Sequence, residues 1–83
     1  MYTLENFIKD CTELKNEEVV SYAVDDKYIL VGIGYEDCIN IELNLGHITD
    51  EGNVCEELRE NCCVDHEDQH EIPSAVEYLI NCI

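Results

Sequence analysis

Basic side chains are nearly absent from this sequence. Lys9, Lys15, Lys27 and Arg59 are the four bases against 20 acids in 83 residues, for a formal net charge of −16 at pH 7. That deficit argues against direct binding to nucleic acid or to an anionic membrane, because both are themselves negative. Long apolar runs are missing too. None approaches the roughly 18 residues of a membrane span. The opening MYTLENFIKD has no basic region followed by an apolar stretch, so no signal peptide is expected and the expected location is the cytoplasm. There, six cysteines are expected as thiols rather than as a disulfide framework.

Recognisable chemistry is equally scarce. The paired C-x2-C knuckle of zinc modules is absent. Gly32-Ile33-Gly34 lacks the third glycine, the following helix and the nearby base of a phosphate loop. Asp65, Glu67 and Asp68 do not follow the oxygen-ligand spacing of a calcium loop. A Cys63/His66 pair is the nearest thing to a nucleophile and base, but the surrounding negative charge disfavours a thiolate. Neither an enzyme nor a cofactor is expected.

What remains is enough to fold. The hydrophobic fraction of 46% is inconsistent with a disordered acidic chain, which would be poor in Ile, Val, Leu and Tyr. Eighty-three residues suffice for one domain with a single layer of helices on a small sheet.

Residues 3–16 read as an amphipathic helix, with Thr3 as cap and Leu4, Phe7, Ile8, Cys11 and Leu14 at helical spacing. Asn16-Glu17-Glu18 breaks that pattern. Residues 19–24 are β-branched and aromatic, a strand, and Asp25-Asp26 is a tight turn. Residues 27–35, KYILVGIGY, form the strongest strand. Both of its faces are apolar or small, so it is expected at the centre of the sheet. Gly32 and Gly34 lie on the face where a helix can approach closely. After the turn at Glu36-Asp37, residues 38–45 alternate, with Ile39, Ile41, Leu43 and Leu45 covered and Cys38, Asn40, Glu42 and Asn44 wet. Three strands joined by short turns make an antiparallel meander, and the first helix belongs on the face of Ile39, Ile41 and Leu43. Thr49 or Asp50 caps a second helix with Val54, Cys55, Leu58 and Cys62 as its apolar stripe, ending near Cys63. Residues 64–69 read as a loop. Ser74, with Glu77 three residues on, starts a last helix after Pro73. The expected fold is α+β, a single domain with a three-stranded antiparallel meander packed against helices in the order α-β-β-β-α-α.

Residues 49–71 concentrate what is unusual. Nine acids lie there, Asp50, Glu51, Glu56, Glu57, Glu60, Asp65, Glu67, Asp68 and Glu71, beside Cys55, Cys62, Cys63, His66 and His70. A zinc site would draw on Cys62, Cys63, His66 and His70, thiolate and imidazole being zinc's preferred ligands. Cys55 and Cys62, however, fit an apolar stripe better than a coordination shell. The outward charge is what packing leaves unexplained. Asp50, Glu51, Glu56, Glu57, Glu60, Asp65, Glu67 and Asp68, with the turn acids Asp25, Asp26, Glu36 and Asp37, are the candidate partner-binding residues. Carboxylates about 5–7 Å apart imitate the spaced charges of a nucleic-acid backbone. Acidity that serves only solubility is the plain alternative.

Small, very acidic and without a catalytic motif, the chain is similar to phage-encoded inhibitors of host defence nucleases, including anti-CRISPR and anti-restriction DNA mimics. That likeness is one of composition. It implies an inhibitor that occupies a basic, nucleic-acid-binding groove of a host effector. The alternatives are a small zinc-binding module and an immunity protein that neutralises a basic nuclease toxin.

Overall fold

A computed structural model gives the architecture, described here for residues 1–49 and 52–83. Helix α1, Leu4–Thr12, starts where its cap demands. Thr3 is extended, and its Oγ1 accepts the Asn6 N–H while Asn6 Oδ1 accepts the Thr3 N–H at 3.1 Å, a capping box that satisfies two otherwise orphaned donors. The helix stops short of residue 16, but Leu14 still continues its buried face, 4% exposed.

Four strands follow: β1 Val19–Ala23, β2 Tyr28–Gly34, β3 Cys38–Thr49 and β4 Gly52–Asp65. They lie in the order β1-β2-β3-β4, every neighbour antiparallel. The first turn is held by Asp25, whose Oδ1 accepts the N–H groups of Lys27 and Tyr28 at 2.8 and 2.9 Å. The second is closed by the Tyr35 N–H donating to the Cys38 carbonyl at 2.8 Å. A short 3-10 segment, His66–Glu71, leads from β4 into helix α2, Ile72–Asn81.

Both helices cover one face of the sheet. α1 lies over β1 and β2, and α2 over β3 and β4. Leu30, Ile39, Ile41, Leu43 and Val64 meet Phe7, Cys11 and Leu14 from α1 and its C-terminal extension, and Ile72, Val76 and Leu79 from α2, in one core. Each large side chain fully buried there contributes about 1.5–3 kcal/mol relative to exposure. The expectation that the glycines admit a helix holds at Gly32, whereas Gly34 admits the segment that follows α1. A Cβ on Gly32 would stand 2.7 Å from Cys11 Sγ, and one on Gly34 would overlap the Lys15 carbonyl.

The expected three-stranded meander is four-stranded, and the order α-β-β-β-α-α becomes four strands followed by the 3-10 segment and one helix. The acidic helix is strand β4. Its register with β3 shifts twice. Leu43 pairs with Glu60 but Asn44 with Leu58, and Leu45 pairs with Glu57 but Gly46 with Cys55. Arg59 and Glu56 are therefore extra residues in bulges. Each bulge turns a two-residue step along one face into a three-residue step, so residues sharing a face recur at 54, 57, 60, 62 and 64. Of the apolar residues read as a helical stripe, Val54 and Cys62 lie on that face, whereas Cys55 and Leu58, opposite Gly46 and Asn44, lie on the other. The strand β3 is also longer than expected, and its far end bends with β4 over the face that carries no helix. Gly46 makes this close approach possible, because a Cβ there would overlap the Val54 carbonyl and come within 3.2 Å of Ile29 Cγ2. Ile29 and Asn44 on that face are consequently buried, although Asn44 was expected to be wet. At the C-terminal end, α2 begins at Ile72 rather than Ser74. Pro73 sits in its first turn, where the missing N–H costs nothing. Of residues 64–69, expected as loop, Val64 and Asp65 end β4 and the rest belong to the 3-10 segment.

Candidate protein-binding surface

The candidate acids fall into groups that local sequence does not reveal. Successive antiparallel strands bring the β2–β3 turn beside the C-terminal end of β4. Glu36 and Asp37 there join Asp65, His66 and Glu67 around an open concavity of about 450 Å³, with no Lys or Arg in its lining. His66 ties the two segments together, its Nε2 lying 2.9 Å from the Tyr35 carbonyl, an N–H···O bond when that nitrogen carries the proton. Two acids that sequence reasoning passed over arrive at the same end. The Glu17 N–H donates to the Gly34 carbonyl at 3.0 Å, and the Gly34 N–H to the Glu18 carbonyl at 2.8 Å. Their side chains are exposed. Glu17 has φ 71°, in the left-handed region, and this is what turns the chain from α1 into β1. The break at Asn16-Glu17-Glu18 was the only signal in the sequence, and it did not say what the break lies against.

Along β4, Glu56 occupies a bulge and is exposed, as is Glu57. Glu57 and Glu60 stand opposite Leu45 and Leu43, so they share a face. Two residues of strand separate those partners, a spacing of roughly 6.6 Å. The expectation that Glu56, Glu57 and Glu60 line one outer helix face therefore becomes a row along a strand. Glu60 is the most constrained, its Oε1 accepting the Asn61 N–H at 3.0 Å and its Oε2 the Tyr78 hydroxyl at 3.4 Å. Asp65, opposite Cys38, is on the other face of the strand and lines the concavity instead. Asp68 is half-buried on the 3-10 segment, at the residue where that segment departs from helical geometry.

Asp25 and Asp26 lie at the opposite end of the sheet, beside Lys27 and Tyr28. With its carboxylate occupied by two backbone N–H groups, Asp25 is part of the turn as much as of the surface. Asp50 and Glu51 lie outside the described residues.

The Cys/His set separates. Cys62 and Cys63 are adjacent in a strand, so they point to opposite faces. Cys62 packs against the core beneath the helices, whereas Cys63 is exposed on the other side. His66 is engaged with Tyr35, and His70 is exposed in the next turn. Cys62, Cys63, His66 and His70 do not converge. Among the described residues no three His, Cys, Asp or Glu side chains gather as metal ligands. The thiols are also held in the protonated form. Burial, and then the charge of Asp10, pushes Cys11 up to about 12. A hydrogen bond with Cys63, and then desolvation, pushes Cys38 up to about 11. Burial raises Cys55 and Cys62, helped by Glu42 and Glu60 respectively. Near neutral pH these four sulfurs are thiols, the weaker form both as nucleophile and as ligand.

On the face without helices a polar ladder runs along β3 and reaches β4. Asn61 Nδ2 donates to Asn40 Oδ1 at 3.0 Å, Asn40 Nδ2 to Glu42 Oε2 at 3.1 Å, and Asn44 Nδ2 to Glu42 Oε1 at 3.4 Å. Both carboxylate oxygens of Glu42 are thereby satisfied within the sheet, so Glu42 adds little to the free acidic surface. No helix among the described residues is long and apolar enough to cross a membrane. Comparison with known proteins finds no matching family model, curated protein or solved structure.

Proposed function

We propose that this chain is a non-enzymatic acidic binding protein that occupies the basic, nucleic-acid-binding groove of a partner protein in place of nucleic acid. The carrying observation is that one strand, β4, carries carboxylates on both faces: Glu57 and Glu60 on one, with Glu56 in the bulge beside them, and Asp65 on the other, in a concavity lined by acids and His66. Turns and strand pairing hold these charges on a folded frame, which lowers the ordering cost when they meet Lys and Arg. The spacing of Glu57 and Glu60, roughly 6.6 Å along the strand, is of the order of a few base-pair steps of duplex, which carries about one charge per 1.7 Å of axis. A net charge of −16 steers such an encounter and makes it fast and salt-sensitive. A host defence nuclease is the partner class that the compositional likeness to phage-encoded inhibitors favours. An immunity role against a basic nuclease toxin would use the same surface, and the identity of the captured protein separates the two.

The test is capture from native-host lysate on the purified chain at low and high salt, followed by competition with nucleic acid. A basic partner is expected to be lost at high salt and displaced by duplex. Replacing Glu56, Glu57 and Glu60 with Lys is expected to weaken capture at least about tenfold, since charged pairs contribute about 1.4 kcal/mol in sum even when exposed. Unchanged capture by that triple variant sinks the reading.

A further inference from the structure

β4 is an edge strand. β3 pairs with one side of it, and no strand among the described residues pairs with the other. From Glu60 to Asp65 its register with β3 runs without a shift, from Leu43↔Glu60 to Cys38↔Asp65, so the outer edge is regular over the same length. One outward donor is directly visible. The Asn61 N–H is not used in the ladder with β3 and donates to its neighbour's carboxylate, Glu60 Oε1, at 3.0 Å. Antiparallel alternation gives the Cys63 backbone the same outward direction. Asn61, Cys63 and Asp65 are exposed, so the edge is open at these positions.

Open edges accept strands, either from a second copy or from an extended segment of another protein. A second copy meets its own charge. Antiparallel pairing of two such edges about Cys63 sets Asp65 of each chain opposite Asn61 of the other and places the Glu60 and Asp65 carboxylates of both chains along one ladder. The net charge of −16 on each copy adds long-range repulsion. A segment bearing Lys or Arg meets the opposite arrangement, with Glu60 and Asp65 along the edge and Glu57 and Glu67 at either end. The carboxylate that now holds the Asn61 N–H is free to turn to such a base once a carbonyl takes over that donor.

We propose that the outer edge of β4 between Glu60 and Asp65 is completed by an extended, Lys/Arg-rich segment of the partner protein, added as a fifth strand. The inference rests on the acidic-binding reading above and adds the mode of attachment. Main-chain hydrogen bonds set the register of the added segment, and the flanking carboxylates select its bases.

The probe is a synthetic capped peptide that alternates valine with lysine, used with the full chain at low salt. Its controls are a copy N-methylated on the residues that face the edge and a copy with glutamate for lysine. The basic peptide is expected to slow amide exchange at Asn61 and Cys63, the N-methylated copy to bind at least about tenfold more weakly, as loss of two or more main-chain bonds implies, and the glutamate copy not to bind. Equal affinity of the basic and N-methylated peptides overturns strand addition while leaving the acidic-binding reading intact. So does a failure of the basic peptide to bind a chain that still captures its partner in a salt-sensitive manner. Failure of that capture is instead the failure of the parent reading. Cys63→Pro supplies a second test, since it deletes an outward N–H at an edge position where proline is tolerated. A folded Cys63→Pro chain is expected to lose the peptide, and undiminished affinity overturns the inference.

Discussion

Substituting Gly34 with alanine tests the junction on which both the fold and the acidic end depend. A Cβ at position 34 overlaps the Lys15 carbonyl and approaches the rest of that peptide, and backbone cannot rotate aside as a side-chain tip can. The end of β2 and the segment containing Lys15 must separate. Separation breaks two hydrogen bonds, Glu17 N–H to the Gly34 carbonyl at 3.0 Å and Gly34 N–H to the Glu18 carbonyl at 2.8 Å. At about 1 kcal/mol each, with at least about 1 kcal/mol of overpacking strain, the expected loss is roughly 3 kcal/mol. A domain of this size has about 4–12 kcal/mol in all. Urea unfolding followed by far-UV circular dichroism reads the change. With a slope near 1 kcal/mol/M, the midpoint falls by about 3 M. Gly32→Ala is the comparison, because its Cβ meets side-chain atoms, Cys11 Sγ at 2.7 Å and Leu14 Cδ1 and Val20 Cγ2 at 3.2 Å. These adjust more easily, and the cost is expected to be about half as large. A Gly34→Ala protein within about 0.5 kcal/mol of wild type, the range of an ordinary surface substitution, or one more stable than Gly32→Ala, refutes the argument.

Leu58 separates a strand from a helix over the acidic stretch. It is 51% exposed whereas Leu43 is fully buried, so Leu58→Ala is expected to cost under about 0.5 kcal/mol and Leu43→Ala about 2–5 kcal/mol; similar losses for the two in chemical denaturation would contradict the register. Glu17→Gly is expected to stabilise by about 0.5–1 kcal/mol, because the left-handed conformation at φ 71° costs a non-glycine residue about 1–2 kcal/mol and glycine returns part of that as chain entropy. A rise of about 2–8 °C in melting temperature is the readout, and a fall would show that the Glu17 side chain is doing something the turn needs. Alkaline pH should unfold the protein partly through Cys11. Its thiol is raised from 9.0 to about 12, so the unfolded chain releases its proton first. The contribution is fully present below pH 9 and is lost as pH rises through the folded value, at up to about 1.4 kcal/mol per pH unit. Cys11→Ala, less stable at neutral pH, is expected to show a shallower decline across that window, and an unchanged slope would remove Cys11 from the account.

Much of the fold was legible where short-range rules decide it. Thr3 and Asn6 are three residues apart and cap a helix whatever lies beyond. Asp25 needs only Lys27 and Tyr28 to make its turn. The alternation of residues 38–45 is undisturbed, and β3 lies where it was expected over those residues. β4 was misread for a specific reason. Its two bulges, at Glu56 and Arg59, interrupt the period of two, and apolar residues from both faces, Val54 and Cys62 on one and Cys55 and Leu58 on the other, fall at helical spacing. The candidate surface was legible in identity but not in arrangement. Glu36, Asp37, Asp65 and Glu67 are separated in sequence by a long hairpin and meet only because that hairpin closes. Glu17 and Glu18 join them through Gly34, a contact with no local signature. The separation of Cys62 from Cys63 could not be seen while both were placed on a helix, and it follows at once from placing them in a strand.

The sequence by itself determined the charge of −16, the first helix with its cap, the first three strands and both tight turns. These depend on composition, on hydrogen bonds spanning a few residues, and on apolar periods that neighbouring residues share. Only the tertiary structure decided that the acidic stretch is an edge strand. A bulge exists only relative to a partner, and β3 supplies the register that makes Glu56 and Arg59 extra. Pairing on one side alone is also what leaves the Asn61 donor facing outward, with Glu60 and Asp65 beside it.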